Sequence, residues 1–89
     1  MPRRELTLLN KRGLHARAAT RLVQCCQPFN AQVTVFHGQR QADAANIMSL
    51  LMLAAPYGTV LTIETEGSDA EGVLEAITEL IEARFDEDI

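Results

Sequence analysis

His15 and Arg17 stand in the run GLHARAAT, residues 13–20, just where a helical pattern begins. Gly13 can take backbone angles that other residues avoid, so the chain can turn sharply before the helix. With His15 at or just before the first turn, the amides of Ala16, Arg17 and Ala18 lack intrahelical acceptors. Those free N–H groups and the helix dipole make an anion site suited to phosphate. The Arg17 guanidinium can grip phosphate oxygens in bidentate fashion. The same field disfavours an imidazolium, so it favours a neutral ring whose lone pair can attack phosphorus. Such a site would carry phosphate covalently on His15 without metal, nucleotide or other cofactor. The plainer alternative is a helix-edge His15 bonded to backbone, with Arg17 solvated. His37, in a His37-Gly38 turn with no partner pattern, reads as structural.

The elements that must hold this run follow from periodicity. Residues 5–9 read as a strand with Leu6 and Leu8 on one face, and residues 10–14 as a polar loop. Ala19, Leu22, Val23 and Cys26 share one face of a helix from Ala16, and Pro28 ends it near Gln27. Residues 31–36 alternate as a strand, and Gln39 to Ala42 pair back as an edge strand. Asn46 is a favoured N-cap for a short helix to about Leu53. After a turn at Pro56-Tyr57-Gly58, residues 60–66 form the clearest strand, with Leu61, Ile63 and Thr65 on one face. Ser68 and Glu71 have capping-box spacing, and Val73, Leu74, Ile77, Leu80 and Ile81 give the stripe of a last helix. Acids in the tail FDEDI oppose the helix dipole, which predicts fraying after Arg84. The order β-α-β-β-α-β-α over residues 1–89 predicts a single α+β domain. It is an open-faced sandwich: a four-stranded antiparallel sheet covered on one face by three helices. The first crossover leaves room for the last strand between the first two.

Charge and composition narrow the function. Seven of eight basic residues lie within residues 1–40 and ten of twelve acids within residues 64–88. An acidic C-terminal half argues against nucleic acid, and the wet sheet face offers Thr62, Glu64 and Glu66 rather than stacking aromatics. The basic half suits a small anion or an acidic protein surface. Cys25 and Cys26 are adjacent and read as free buried thiols in a reducing cytoplasm, with no metal-binding spacing. No secretory signal pattern opens the chain, and the longest apolar run is too short to span a membrane.

The run LNKRGLHARAATRLVQ resembles the active-site segment of HPr, the histidine phosphocarrier of the bacterial phosphotransferase system. ANIMSLLMLAAPYGT resembles that family's second helix and following turn, and the likeness extends over essentially the whole chain. The resemblance implies that His15 is phosphorylated on Nδ1 by Enzyme I, that Arg17 assists transfer, and that an enzyme IIA domain receives the phosphate. It implies a carrier rather than an enzyme, serving sugar uptake or regulation. The second helix and the FDED tail also look like the nitrogen-related branch, NPr. Three positions depart from the family. Ala18 stands where many members have proline. Asn46 replaces the regulatory serine of some members and cannot accept phosphate. Gln24 and Gln27 replace lysines.

The second helix carries more apolar residues than its core contact needs. Leu50 and Leu53 suit the core, whereas Ile47, Met48 and Leu51 fall largely on the other side. They read as a docking patch beside His15, with Arg12, Thr20 and Arg21 completing the partner face. The expected carrier is a monomer. The alternative function is a non-phosphorylated regulatory module that binds a partner through Ile47, Met48 and Leu51.

Overall fold

The computed structural model describes residues 2–87. Strands β1 (Arg3–Thr7), β2 (Gln32–His37), β3 (Arg40–Asp43) and β4 (Val60–Glu66) form one sheet in the order β1-β4-β2-β3. Every pairing is antiparallel. Helices α1 (Ala16–Cys26), α2 (Ile47–Met52) and α3 (Ala70–Glu82) complete the open-faced sandwich, and a short 3-10 turn covers Arg84–Asp86. Element order, antiparallel pairing and the insertion of the last strand beside the first are as expected.

The core forms where the periodicities meet. Val33, Val35, Leu61, Ile63 and Leu6 point from the sheet toward Leu22, Leu50, Val73, Ile77 and Ile81 of the helices. Burying each leucine or isoleucine contributes on the order of 2 kcal/mol, so the helices dock by their stripes rather than by propensity. On α1 the fully buried residues are Ala18, Ala19 and Leu22; Val23 and Cys26 are only partly covered. The other sheet face carries Arg3, which bonds Glu64 at 2.9 Å and lies 6.0 Å from the Phe36 ring centroid. Arg4 ties β1 to α3 through Thr78 at 2.9 Å and Glu75 at 3.0 Å.

Several local expectations are corrected. β1 starts at Arg3 rather than Glu5 because its ladder with β4 runs from Arg3 opposite Glu64 to Thr7 opposite Val60. Leu8 is still buried, held by its N–H on the Thr59 carbonyl at 2.9 Å. β2 and β3 each lie one residue later than expected. His37 ends β2 instead of sitting in the turn, and its Nδ1 lies 2.8 Å from the Leu53 carbonyl. A carbonyl can only accept, so Nδ1 carries the proton and the ring ties the sheet to the end of α2. Ser68 does not cap α3. Asn30 donates to Ser68 Oγ at 2.8 Å and, through its backbone N–H, to Asp69 Oδ2 at 2.7 Å, so the loop before β2 takes both side chains. Asp69 holds the N-cap position without a side-chain cap bond.

Asn46 does cap α2, accepting from the Ser49 N–H at 3.1 Å. At the other end the chain leaves the helix through Ala54, with φ of 51°. A left-handed alanine costs roughly 1 kcal/mol more than glycine there. Ala54→Gly is therefore expected to raise the urea midpoint, for a gain of about 1 kcal/mol without a change in slope.

Candidate functional site

The turn before α1 is welded to the turn after α2. Gly13 has φ of 67°, and its N–H bonds the Asn10 carbonyl at 3.1 Å. The Leu14 N–H bonds the Ala55 carbonyl at 2.9 Å. A Cβ on Gly13 would lie 2.5 Å from that carbonyl oxygen and 2.8 Å from Pro56 backbone atoms. Glycine is thus required twice, for its backbone angle and for the close approach.

His15 follows as the N-cap of α1, in an extended conformation with φ of −89° and ψ of −177°. Its carbonyl accepts the Ala19 N–H at 2.8 Å, but its ring does not cap the helix. The amides of Ala16, Arg17 and Ala18 belong to the first turn, where no intrahelical acceptor exists. Arg17 is exposed on this turn and forms no ion pair among the described residues. Ala18 is fully buried, which seats the turn on the core. Of the expected partner residues, Arg12 is exposed and the Thr20 hydroxyl is taken up by the Ala16 carbonyl at 2.9 Å. Arg21 is partly buried and donates to the Phe85 carbonyl.

Ile47 and Met48 are exposed as expected, Met48 by 67%. Leu51 is half-buried, in partial contact with the core. Met52 and Tyr57 are further exposed large apolar residues, outside the patch expected from the sequence. Met52 lies at i+4 from Met48, so extending the helical periodicity by one turn finds it. Tyr57 lies in the Pro56-Tyr57-Gly58 turn, and connecting turns run over the surface.

The largest departure is the tail. In place of fraying, Phe85 is completely buried and Glu87 returns to His15. Asp88 and Ile89, the rest of the expected frayed tail, lie outside the described residues. His15 Nε2 lies 2.6 Å from Glu87 Oε2, with the two side chains 20% and 6% exposed. Asn10 is fully buried and its Nδ2 donates to Glu87 Oε1 at 2.8 Å and to the Gly13 carbonyl at 2.6 Å. Burial acts to raise the Glu87 carboxyl; it is outweighed by the hydrogen bonds of Asn10 and His15 and by the charges of His15 and Arg12, which together hold the group below its ordinary range. Periodicity carries no signal for Asn10 or Glu87; an aromatic residue inside an acidic tail was the available hint.

A depressed carboxyl stabilises the folded state above its unfolded pKa, and that contribution is lost as pH falls through the folded value. The tail should therefore stay docked through the range where a free glutamate titrates and release only at lower pH. Acid titration followed at the Phe85 and Glu87 amides checks this: movement at the free-glutamate pH contradicts the docked carboxylate.

Cys25 and Cys26 are free and partly buried. Burial, with Glu79 adding, raises the Cys25 thiol; burial, then Cys25 and Asp43, push Cys26 up to about 12. Both stay protonated and unreactive at neutral pH. Among the described residues no three or more His, Cys, Asp or Glu side chains gather as a metal site, and no helix is long and apolar enough to cross a membrane.

An antiparallel sheet under three helices, with an imidazole at the N-cap of the first, is the architecture of a small phosphocarrier domain. Comparison with known proteins agrees. The PTS-HPr family model, described as the PTS HPr component phosphorylation site, matches residues 2–83. The chain belongs to the HPr family of phosphocarrier proteins, which are carriers and not enzymes. It is 44% identical to phosphocarrier protein NPr of Shewanella violacea, over 94% of this chain and 92% of that protein. It is also 44% identical to phosphocarrier protein HPr of Cupriavidus necator, over 98% of each. The crystal structure of HPr-C-His from Thermoanaerobacter tengcongensis superposes with a TM-score of 0.95 at 34% identity, covering 100% of both chains.

Proposed function

We propose that this carrier accepts phosphate from Enzyme I on Nδ1 of His15 and passes it to an enzyme IIA domain, for sugar uptake or regulation. It acts as a cytoplasmic monomer. The observation that carries the reading is His15 at the N-cap of α1, beside first-turn amides and the exposed Arg17. Family membership adds the phosphotransferase setting. Arg17 meets the charge that arrives with the phosphoryl group, and the amides of Ala16, Arg17 and Ala18 receive its oxygens. Ile47 and Met48, with Met52 beside them, give partners an apolar surface, and Arg12 supplies attraction to acidic ones.

Incubation with Enzyme I and phosphoenolpyruvate tests the first step, and later addition of IIA domains tests the second. The expected result is a mass gain of one phosphate, lost again when a cognate IIA domain is added. A chain that binds partners through Ile47 and Met48 yet gains no phosphate would instead be a regulatory module.

A further inference from the structure

We infer that Glu87 is a positioning residue for the reaction at His15. Its carboxylate holds a proton on Nε2, so that Nδ1 keeps the lone pair before transfer and the phosphorylated ring stays protonated, and hence labile, afterwards. This deepens the carrier reading and rests on it.

The geometry begins with a contact between residues 72 positions apart, His15 Nε2 and Glu87 Oε2, at 2.6 Å. An ionised carboxylate only accepts, so Nε2 must be the protonated nitrogen. Both residues are held in place. Asn10 donates to the other Glu87 oxygen and to the Gly13 carbonyl, linking the tail to the turn that sets His15. That arrangement leaves Asn10 Oδ1 buried without a partner among the described residues. The reverse amide orientation would oppose oxygen to oxygen at both contacts, so the orphaned atom is the lesser cost. The tail reaches the site through a left-handed run, with φ of 58° at Arg84, 54° at Phe85 and 61° at Asp86. Such a run is unfavourable by itself. Complete burial of Phe85 and the Arg21 contact to its carbonyl offset the strain.

The charges around the pair have separate tasks. The N-terminus of α1 disfavours a cationic ring, and the Glu87 carboxylate opposes that field. Arg12 lies near enough to Glu87 to help keep it ionised, and Arg17, exposed and in no ion pair among the described residues, is left for the phosphate. Asp86, adjacent to Glu87, is exposed.

On uptake, the Nδ1 lone pair forms the N–P bond while the bond from phosphorus to the phosphorylated donor protein breaks, its electron pair leaving with the donor atom. No proton moves. Nε2 keeps its hydrogen, the ring becomes cationic, and Glu87 balances that charge. On transfer, the acceptor nucleophile bonds phosphorus and the N–P pair returns to Nδ1. The leaving group is then neutral imidazole; from a deprotonated ring it would be imidazolate, a far poorer one.

Glu87→Gln removes the charge and keeps the shape. Phosphoramidate, a chemical phosphoryl donor, labels the ring independently of Enzyme I, and phosphorus NMR follows the lifetime of the phosphorylated protein against pH. The wild-type lifetime should lengthen as the ring deprotonates. In Glu87→Gln that rise should come about one pH unit lower, so that between the two midpoints the variant keeps its phosphate several-fold longer. Asp86→Asn makes the same change in net charge without the contact, and its profile should match the wild type. Coincident wild-type and Glu87→Gln profiles overturn the inference. So does a Glu87→Gln protein that is labelled faster with an unchanged lifetime, since the tail would then only cover the ring. A wild-type chain that phosphoramidate does not label at His15 overturns the carrier reading itself, a distinct result.

Discussion

His15→Ala is expected to abolish phosphate uptake from Enzyme I while leaving the fold in place. The nucleophile is removed, and no other described group stands at a helix N-terminus beside an arginine. His37 ends β2, and the cysteines remain thiols. Stability should fall only moderately, by about 1–3 kcal/mol: the ring makes no cap bond that the helix would lose, but the nearly covered Glu87 carboxylate keeps Asn10 and loses its contact with the ring. Intact mass after incubation with Enzyme I and phosphoenolpyruvate reads the first effect, and urea unfolding reads the second. A phosphate retained by a folded His15→Ala protein places the chemistry elsewhere and removes the basis of the proposed function.

Gly13→Ala is expected to be severely damaging for so small a substitution. Its methyl group would meet the Ala55 carbonyl oxygen at 2.5 Å, and a backbone φ of 67° suits alanine poorly. The left-handed strain costs about 1–2 kcal/mol and the overpacking about 1–3. Together these reach roughly 2–5 kcal/mol, a large share of the 5–15 available to a domain. The neighbour cannot relieve the clash cheaply, because it is backbone that also accepts the Leu14 N–H. The variant should unfold at lower urea, and the Leu14 amide should exchange faster with solvent. Phosphate uptake should fall as well, since the same turn carries His15 to the N-cap and Asn10 toward Glu87. Unchanged stability in Gly13→Ala means that the two turns can separate, and that the site is less rigidly placed than these contacts require. Ala54→Gly in the adjoining turn has the opposite sign, so the pair tests the backbone argument from both sides.

How far the fold was legible depends on the range of the interactions involved. The alternation of Leu61, Ile63 and Thr65 and the stripe of Val73, Leu74, Ile77 and Ile81 identify their elements because periodicity is written into neighbouring residues. The Asn46 cap is equally local, within one turn. Ser68 looked just as local, but Asn30, 38 positions away, competes for its hydroxyl. Leu51 is half-buried for a related reason: in a helix of six residues set against α1 and β3, packing as well as periodicity divides the faces.

By itself the sequence determined the order of elements, the antiparallel sheet and the place where phosphate chemistry can occur. A glycine turn, a histidine and an arginine at a helix start need only a few consecutive residues to define them. The tertiary structure alone decided what surrounds the imidazole. Helix-dipole reasoning made the acidic tail a loose end, and in isolation those acids do sit badly at the C-terminus of α3. Folding supplies them with other partners: a core site for Phe85, Arg21 for its carbonyl, and Asn10 with His15 for Glu87. None of those partners is near the tail in sequence, so only closure of the whole domain could bring its carboxylate to the nucleophile.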